Sequence, residues 1–186
     1  MDRKQKFLEI FQEISPDPAW CAKGREFADK LEELNFFQAP ASTKYHGNYE
    51  GGLFDHSLAY YEELMKLTTG LGLKWERPVS PAIIAFFHDL CKVDKYVPYA
   101  TVDNDTGIGW EYDKTPSTWG EGHATKSLAI AATLCRLTEE EVLCIRYHMG
   151  AYEKDEWANY DAAIRRCPNV LFSHTADMMA IKIRNT

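Results

Sequence analysis

Six histidines are spread along the chain, at His46, His56, His88, His123, His148 and His174. Four of them combine with two aspartates into an ordered set of candidate metal ligands: His56, the adjacent pair His88-Asp89, His123, His148 and Asp177. Successive members fall roughly thirty residues apart, one or two per helix or helix start. Imidazole and carboxylate together suit Mn, Fe, Zn, Ni or Co better than a soft-thiolate site would. A carboxylate can also bridge two cations. Taken singly, a histidine on an apolar helix is more often a hydrogen-bonded core residue. The His88-Asp89 pair changes that weighting, because Asp89 follows "AIIAFFH" and precedes "LC". A carboxylate buried in such a run is costly without a partner, and a cation offsets the cost. The rival partner is Lys92, three residues on.

Those ligands have to be held by helices. Residues 3–14 place Phe7, Leu8, Ile10, Phe11 and Ile14 at helical spacing, and Ser15-Pro16 ends the run. Asp17-Pro18 supplies an N-cap and a first-turn proline for a second helix to about Leu34. Residues 35–52 read as a loop. A third helix, carrying His56, starts near Phe54 and ends near Thr69-Gly70. Ser80-Pro81 opens a fourth, which is expected to carry His88 and Asp89 on one helix, their side chains turned about 100° apart. "KYVPYATV" and "GIGWEYD" flank "DNDT" and predict a β-hairpin near residues 95–112. Pro98 confines its strand to an edge. "DNDTG" is only faintly like a calcium loop: counting from Asp103, the positions for Gly and Glu hold Ile108 and Lys114. From Gly122 the helical pattern returns. Thr138 and Glu141 form a capping box, Asn159 caps a short helix to about Cys167, and Pro168 opens the last helix. Ligands drawn one per helix in this way meet in a bundle core.

The chain has 186 residues and a net charge of −7. The length suits one domain. The charge argues against broad nucleic-acid coating, which needs a basic face. Cys21, Cys91, Cys135, Cys144 and Cys167 show no C-x-x-C spacing and read as reduced thiols, mostly core filler. No signal peptide and no run long enough to span a bilayer is present, so a cytoplasmic protein with no membrane partner is expected.

"HDLCK", residues 88–92, resembles the H-D-x-x-K signature of the HD-domain metal-dependent phosphohydrolases. The ordered set "GGLFDHSL", "HDLCK", "GEGHATKS", "IRYHMGAYE" and "SHTADMMAIK" is similar to the HD domain of bacterial 3′-to-5′ exoribonucleases, and "APASTKYHG" resembles a loop of that subfamily. The similarity covers about residues 37–186. It implies an all-α fold, an HD-domain helical bundle carrying the small hairpin insert. Residues 1–36 would pack as N-terminal helices on an HD core of 37–186, forming one domain. Two departures stand out. Only about 36 helical residues precede the HD core, where those exoribonucleases carry an OB-type nucleic-acid-binding domain. The histidine pair of their H-H-G motif is reduced to "YHMG", with Tyr147 before His148 and Met149 after it. Both point to a smaller substrate, a nucleotide or a short single-stranded nucleic acid.

The resemblance also implies roles. His56, His88, Asp89 and Asp177 would bind a first divalent metal, and Asp89 would bridge to a second completed by His123 and His148. The ions are Mn, Fe, Mg, Ni or Zn. Two such cations stabilise the attacking and leaving oxygens of an in-line displacement and activate a water. Asp89 and Lys92 are the catalytic candidates, with Lys92 neutralising a phosphate oxygen, orienting Asp89, or simply solvated. Lys44, His46 and Arg146 are candidate substrate contacts, set against a solvated loop for the first two and a surface salt bridge for Arg146. His174 lies three residues before Asp177 and is expected beside the centre as a supporting residue. Tyr96, Tyr99, Trp110, Tyr112 and Trp119 either stack a base or form a small satellite core under the hairpin; the satellite core is preferred. The expected activity is hydrolysis of a nucleotide or short-nucleic-acid phosphoester. The alternatives are a deoxynucleoside triphosphate hydrolase or 5′-nucleotidase, and a nucleotide-binding HD module without catalysis.

Overall fold

The computed structural model describes residues 2–14, 17–103, 105–120, 122–150 and 156–184. Among these the chain is predominantly helical, with one small antiparallel sheet. Helices α1 (Arg3–Ile14) and α2 (Pro18–Glu33) pack as a pair against the first half of the core. The Asp17 carboxylate caps α2 by accepting from Ala19 N at 2.9 Å, with Pro18 at the first helical position. Helix α3 (Gly52–Leu71) begins two residues earlier than its apolar pattern suggested and stops at Gly72, whose left-handed backbone closes it.

Helix α4 (Ser80–Phe87) is the centre of the packing, and each of its eight residues is buried. One side of it, with Ile83, Phe86 and Phe87, joins an aromatic cluster with Phe7, Phe27 and Phe54. Its other side, with Ile84 and Ala85, meets Ala59, Tyr60, Cys144, Ala176 and Ala180. A helix apolar all round is a buried helix. It does not continue through His88 and Asp89, as the apolar run suggested. His88 is its C-cap, and Asp89 (φ −111°, ψ 20°) leaves the helix before a single 3-10 turn, Leu90–Lys92.

The hairpin pairs β1 (Tyr96–Ala100) with β2 (Ile108–Tyr112), Pro98 facing Trp110, and residue 104 in its loop lies outside the described residues. Among the described residues no satellite core lies beneath it. Tyr99 and Tyr112 are exposed, Tyr96 pairs with Tyr112, and Trp119 packs on the main core instead. Helices α5 (His123–Leu134), α6 (Glu139–Arg146), α7 (Trp157–Arg166) and α8 (Asn169–Lys182) complete the chain. The Thr138–Glu141 capping box is present on α6, with both of its hydrogen bonds formed. Asn159 does not cap α7; Glu156 holds that position and Asn159 sits in the first turn. Helix α8 packs along α3. No helix among the described residues is long and apolar enough to cross a membrane.

Candidate metal centre

Each imidazole is fixed by its own local structure. His56 lies in the second turn of α3, buried among apolar neighbours. The two glycines before it permit a close crossing. A Cβ on Gly52 would fall 2.1 Å from Gly47 O, so only glycine lets the loop of residues 39–47 lie across the helix start. That crossing places the His46 ring 5.4 Å from the His56 ring. His88 and His148 share one device. Each stands just past a helix end, and its Nδ1 lies near the carbonyl three residues back: Ala85 O at 2.8 Å for His88 and Ile145 O at 2.7 Å for His148. A carbonyl only accepts, so Nδ1 carries the proton and the Nε2 lone pair faces inward. This is the support that metal-binding histidines commonly have.

His123 opens α5, which is clamped to the 3-10 turn at three points. Cys91 N donates to Ser127 Oγ at 3.0 Å, Cys91 Sγ lies 3.3 Å from His123 Nδ1, and Lys126 pairs with Asp94. The clamp carries His123 Nε2 to 2.8 Å from Asp89 Oδ1. Cys91, Asp94, Lys126 and Ser127 gave no signal in the sequence beyond their proximity to ligand positions. Asp177, on α8, completes the group, its Oδ1 at 3.2 Å from His56 Nε2.

All six candidate ligands therefore converge. Asp89 stands between two imidazole pairs. Its Oδ2 lies 3.3 Å from His88 Nε2 and 3.7 Å from His56 Nε2, and its Oδ1 lies 2.8 Å and 3.8 Å from His123 and His148 Nε2. Within each pair the Nε2 atoms are 3.2 Å apart. Two inward lone pairs at that distance repel unless a proton or a cation lies between them. Among the described residues Asp89 Oδ1 and Asp177 Oδ1 are buried and have no partner with hydrogen-bond geometry, despite the short approaches of His123 and His56. Buried carboxylate oxygens in that condition fit a cation. His56, His88 and Asp177, then His88, Asp89 and His148, and finally Asp89, Cys91 and His123 each form a group whose ligand atoms can hold a metal ion.

The charges are set by burial against neighbours. Burial works to raise the Asp89 pKa, but the Lys92 charge, with His88 and His123, holds it well below the usual carboxylate range. Asp177 is likewise held low against its burial, chiefly by His56. Burial, and then the nearby His88, lowers His148 to about 3. His123 rises to about 10, because Asp89 outweighs its burial. Lys92 is not a solvated lysine. Its Nζ lies 2.6 Å from Asp89 Oδ2, and the attraction to Asp89 raises its pKa despite burial.

The remaining candidates divide. His46 is half-buried against His56, and burial followed by the His56 charge lowers its pKa to about 4. Lys44 is exposed, on an open cavity it shares with His46. Arg146 has its guanidinium paired with Glu156 at 2.9 Å and lying over the Tyr147 ring. His174 does not face the ligand atoms. Its Nδ1 lies 2.7 Å from His148 O, and its ring fills the space that a Cβ on Gly150 would need, so it supports the turn that carries His148.

Comparison of the chain with protein-family models, with curated proteins and with solved structures gave no match.

Proposed function

We propose that the chain is an HD-type metal-dependent phosphohydrolase that cleaves a phosphoester of a nucleotide or short nucleic acid. One observation carries the reading: the two oxygens of Asp89 face two different imidazole pairs, the arrangement of a carboxylate that bridges two cations. His56, His88, Asp89 and Asp177 would hold one divalent ion, and Asp89, His123 and His148 the other. Ions held there supply an acidified water and charge neutralisation for in-line attack on a phosphoester. The chain's own residues do the rest. The carbonyls of Ala85 and Ile145 fix the tautomers of His88 and His148. Lys92 keeps Asp89 ionised and fixes its rotation through Oδ2. Packing on α3, α4 and α8 excludes water from all but the His123 side.

A second reading draws on the Lys92–Asp89 contact, which satisfies one carboxylate oxygen without any cation. A nucleotide-binding HD module without catalysis would retain such a pair. Metal analysis and product analysis separate the two. Mn-loaded wild type is expected to hold about two ions per chain and to release product from a nucleotide or oligonucleotide panel. Asp89→Asn, which keeps the side-chain shape, is expected to lose both ions and turnover. Undiminished metal content in Asp89→Asn, or metal binding by wild type with no turnover, would remove the hydrolase reading. The product, whether mononucleotide, inorganic phosphate or triphosphate, assigns the subclass.

A further inference from the structure

We propose that the cavity beside His123 is the substrate pocket of this centre and that it takes a nucleoside monophosphate, with the phosphate against Lys126 and the nucleoside under the hairpin. This rests on the metal-centre reading above. The side chains of His56, His88, Asp89, His148 and Asp177 are each 3 % exposed or less, while that of His123 is 22 % exposed. Solvent therefore reaches the centre at His123. A cavity of about 280 Å³ lies there, and His123 and Cys91 form its inner wall.

The other walls suit a phosphorylated ligand. Lys126 stands one turn beyond His123 on α5, and its side chain is only 9 % exposed. An ammonium has three donors, and the Asp94 carboxylate accepts one of them. Lys95 brings a second cation, lying over the rings of Tyr96 and Tyr112 at 5.8 and 5.7 Å. Tyr112, with its exposed ring, borders the same cavity and offers a stacking face for a base. Asp94 also accepts from Ser117 Oγ at 3.0 Å, which leaves a polar wall for sugar hydroxyls. The volume lies just below the usual range of ligand cavities, about 300 to 1,000 Å³, which favours a single nucleotide over a chain of them. The larger cavity at Lys44 and His46, about 810 Å³, is lined by none of the six candidate ligands.

The test uses the full chain, with Mn and without it. Binding of the ribo- and deoxyribonucleoside 5′-monophosphates, inorganic phosphate and a trinucleotide is followed by calorimetry, and Mn content by elemental analysis. Lys126→Gln is expected to weaken monophosphate binding by roughly tenfold, the scale of a lost charge-assisted hydrogen bond. In the Mn-loaded protein, at Mn sufficient to fill the centre despite the loosened Lys126–Asp94 clamp, it should raise KM more than it lowers kcat. Lys126→Arg is expected to restore part of the loss. Tyr112→Ser removes the exposed ring together with its contacts to Tyr96 and Lys95, and it should weaken monophosphates more than inorganic phosphate. Unchanged affinity in both Lys126→Gln and Tyr112→Ser would overturn the assignment. So would a trinucleotide that binds more tightly than every monophosphate, no binding of any probe, or a loss seen with Lys44→Gln in place of Lys126→Gln. Should wild type hold no Mn while monophosphate binding still depends on Lys126, the metal reading fails and the pocket stands.

Discussion

The two halves of the candidate centre are built by different means. His56, His88 and Asp177 sit on or at the ends of three helices whose packing is almost wholly apolar, and the half they form is sealed. His123 stands at a helix start held to the 3-10 turn by Ser127, Cys91 and the Lys126–Asp94 pair, and its half opens to a cavity. The comparison teaches a division of labour. Apolar packing fixes ligands that nothing needs to reach, and it supplies the fold's stability. Polar clamps fix the candidate ligand that borders the open cavity.

The largest expected effect comes from breaking the sealed half. Phe86 is fully buried among Phe7, Phe54 and Tyr61, with ring centroids 4.9 to 6.0 Å away. Phe86→Ala removes that packing and leaves a cavity, and it is expected to cost about 3–5 kcal/mol. Urea denaturation of the metal-free protein measures it. A loss below about 1 kcal/mol would mean that the aromatic cluster is not what holds α4 in place.

Ser127 tests the open half. Its Oγ accepts from the buried Cys91 N, and Ser127→Ala leaves that donor without its partner. The expected cost is about 1–2 kcal/mol, well below that of Phe86→Ala. Its sharper consequence is local. Mn titration of Ser127→Ala should show the His123 site weakened more than the other, because the clamp adjoins His123 on α5 and reaches the shared Asp89 only through the turn that follows it. Equal weakening of both sites would show that the two halves are one rigid unit and that the comparison fails.

How much of this was legible in the sequence follows the same division. The helices announce themselves through 3.6-residue spacing, through Pro18 and Pro81 at first turns, and through the Thr138–Glu141 box. The ordered histidines and aspartates pointed to one centre, and their side chains do meet. What could not be read is where helices stop for tertiary reasons. The apolar run continues past Phe87 through Leu90 and Cys91, so no residue type marks the break at Asp89. Its carboxylate is held between imidazoles from α3, α5 and the turn after α6, none of which is local. The clamp residues are equally silent, since Lys126 and Asp94 are thirty-two positions apart and meet only after α5 docks. Arg146 pairs with Glu156, the salt bridge that the sequence set against a substrate contact.

The smallest expected effect is a single proton, and it distinguishes the halves without any substitution. In the metal-free protein His123 titrates near 10, raised from 6.5 by Asp89, whereas His148 is lowered to about 3. At pH 8 His123 is therefore charged and His148 neutral. A raised pKa in the folded state stabilises the fold fully below about pH 6.5, the unfolded value, and that contribution is lost as pH rises toward 10. A cation binds only neutral imidazole, so loading the centre at pH 8 has to displace the His123 proton. Loss of the His123 proton should appear in weakly buffered solution on Mn addition, and apparent Mn affinity should fall as pH is lowered. The two aspartates should contribute none, since both are held ionised well below neutral pH. Release from His123 is separable from the others by ring-nitrogen shifts in labelled protein. Absence of proton release at pH 8, with Mn bound, would place the metal away from His123 and detach the open half from the centre.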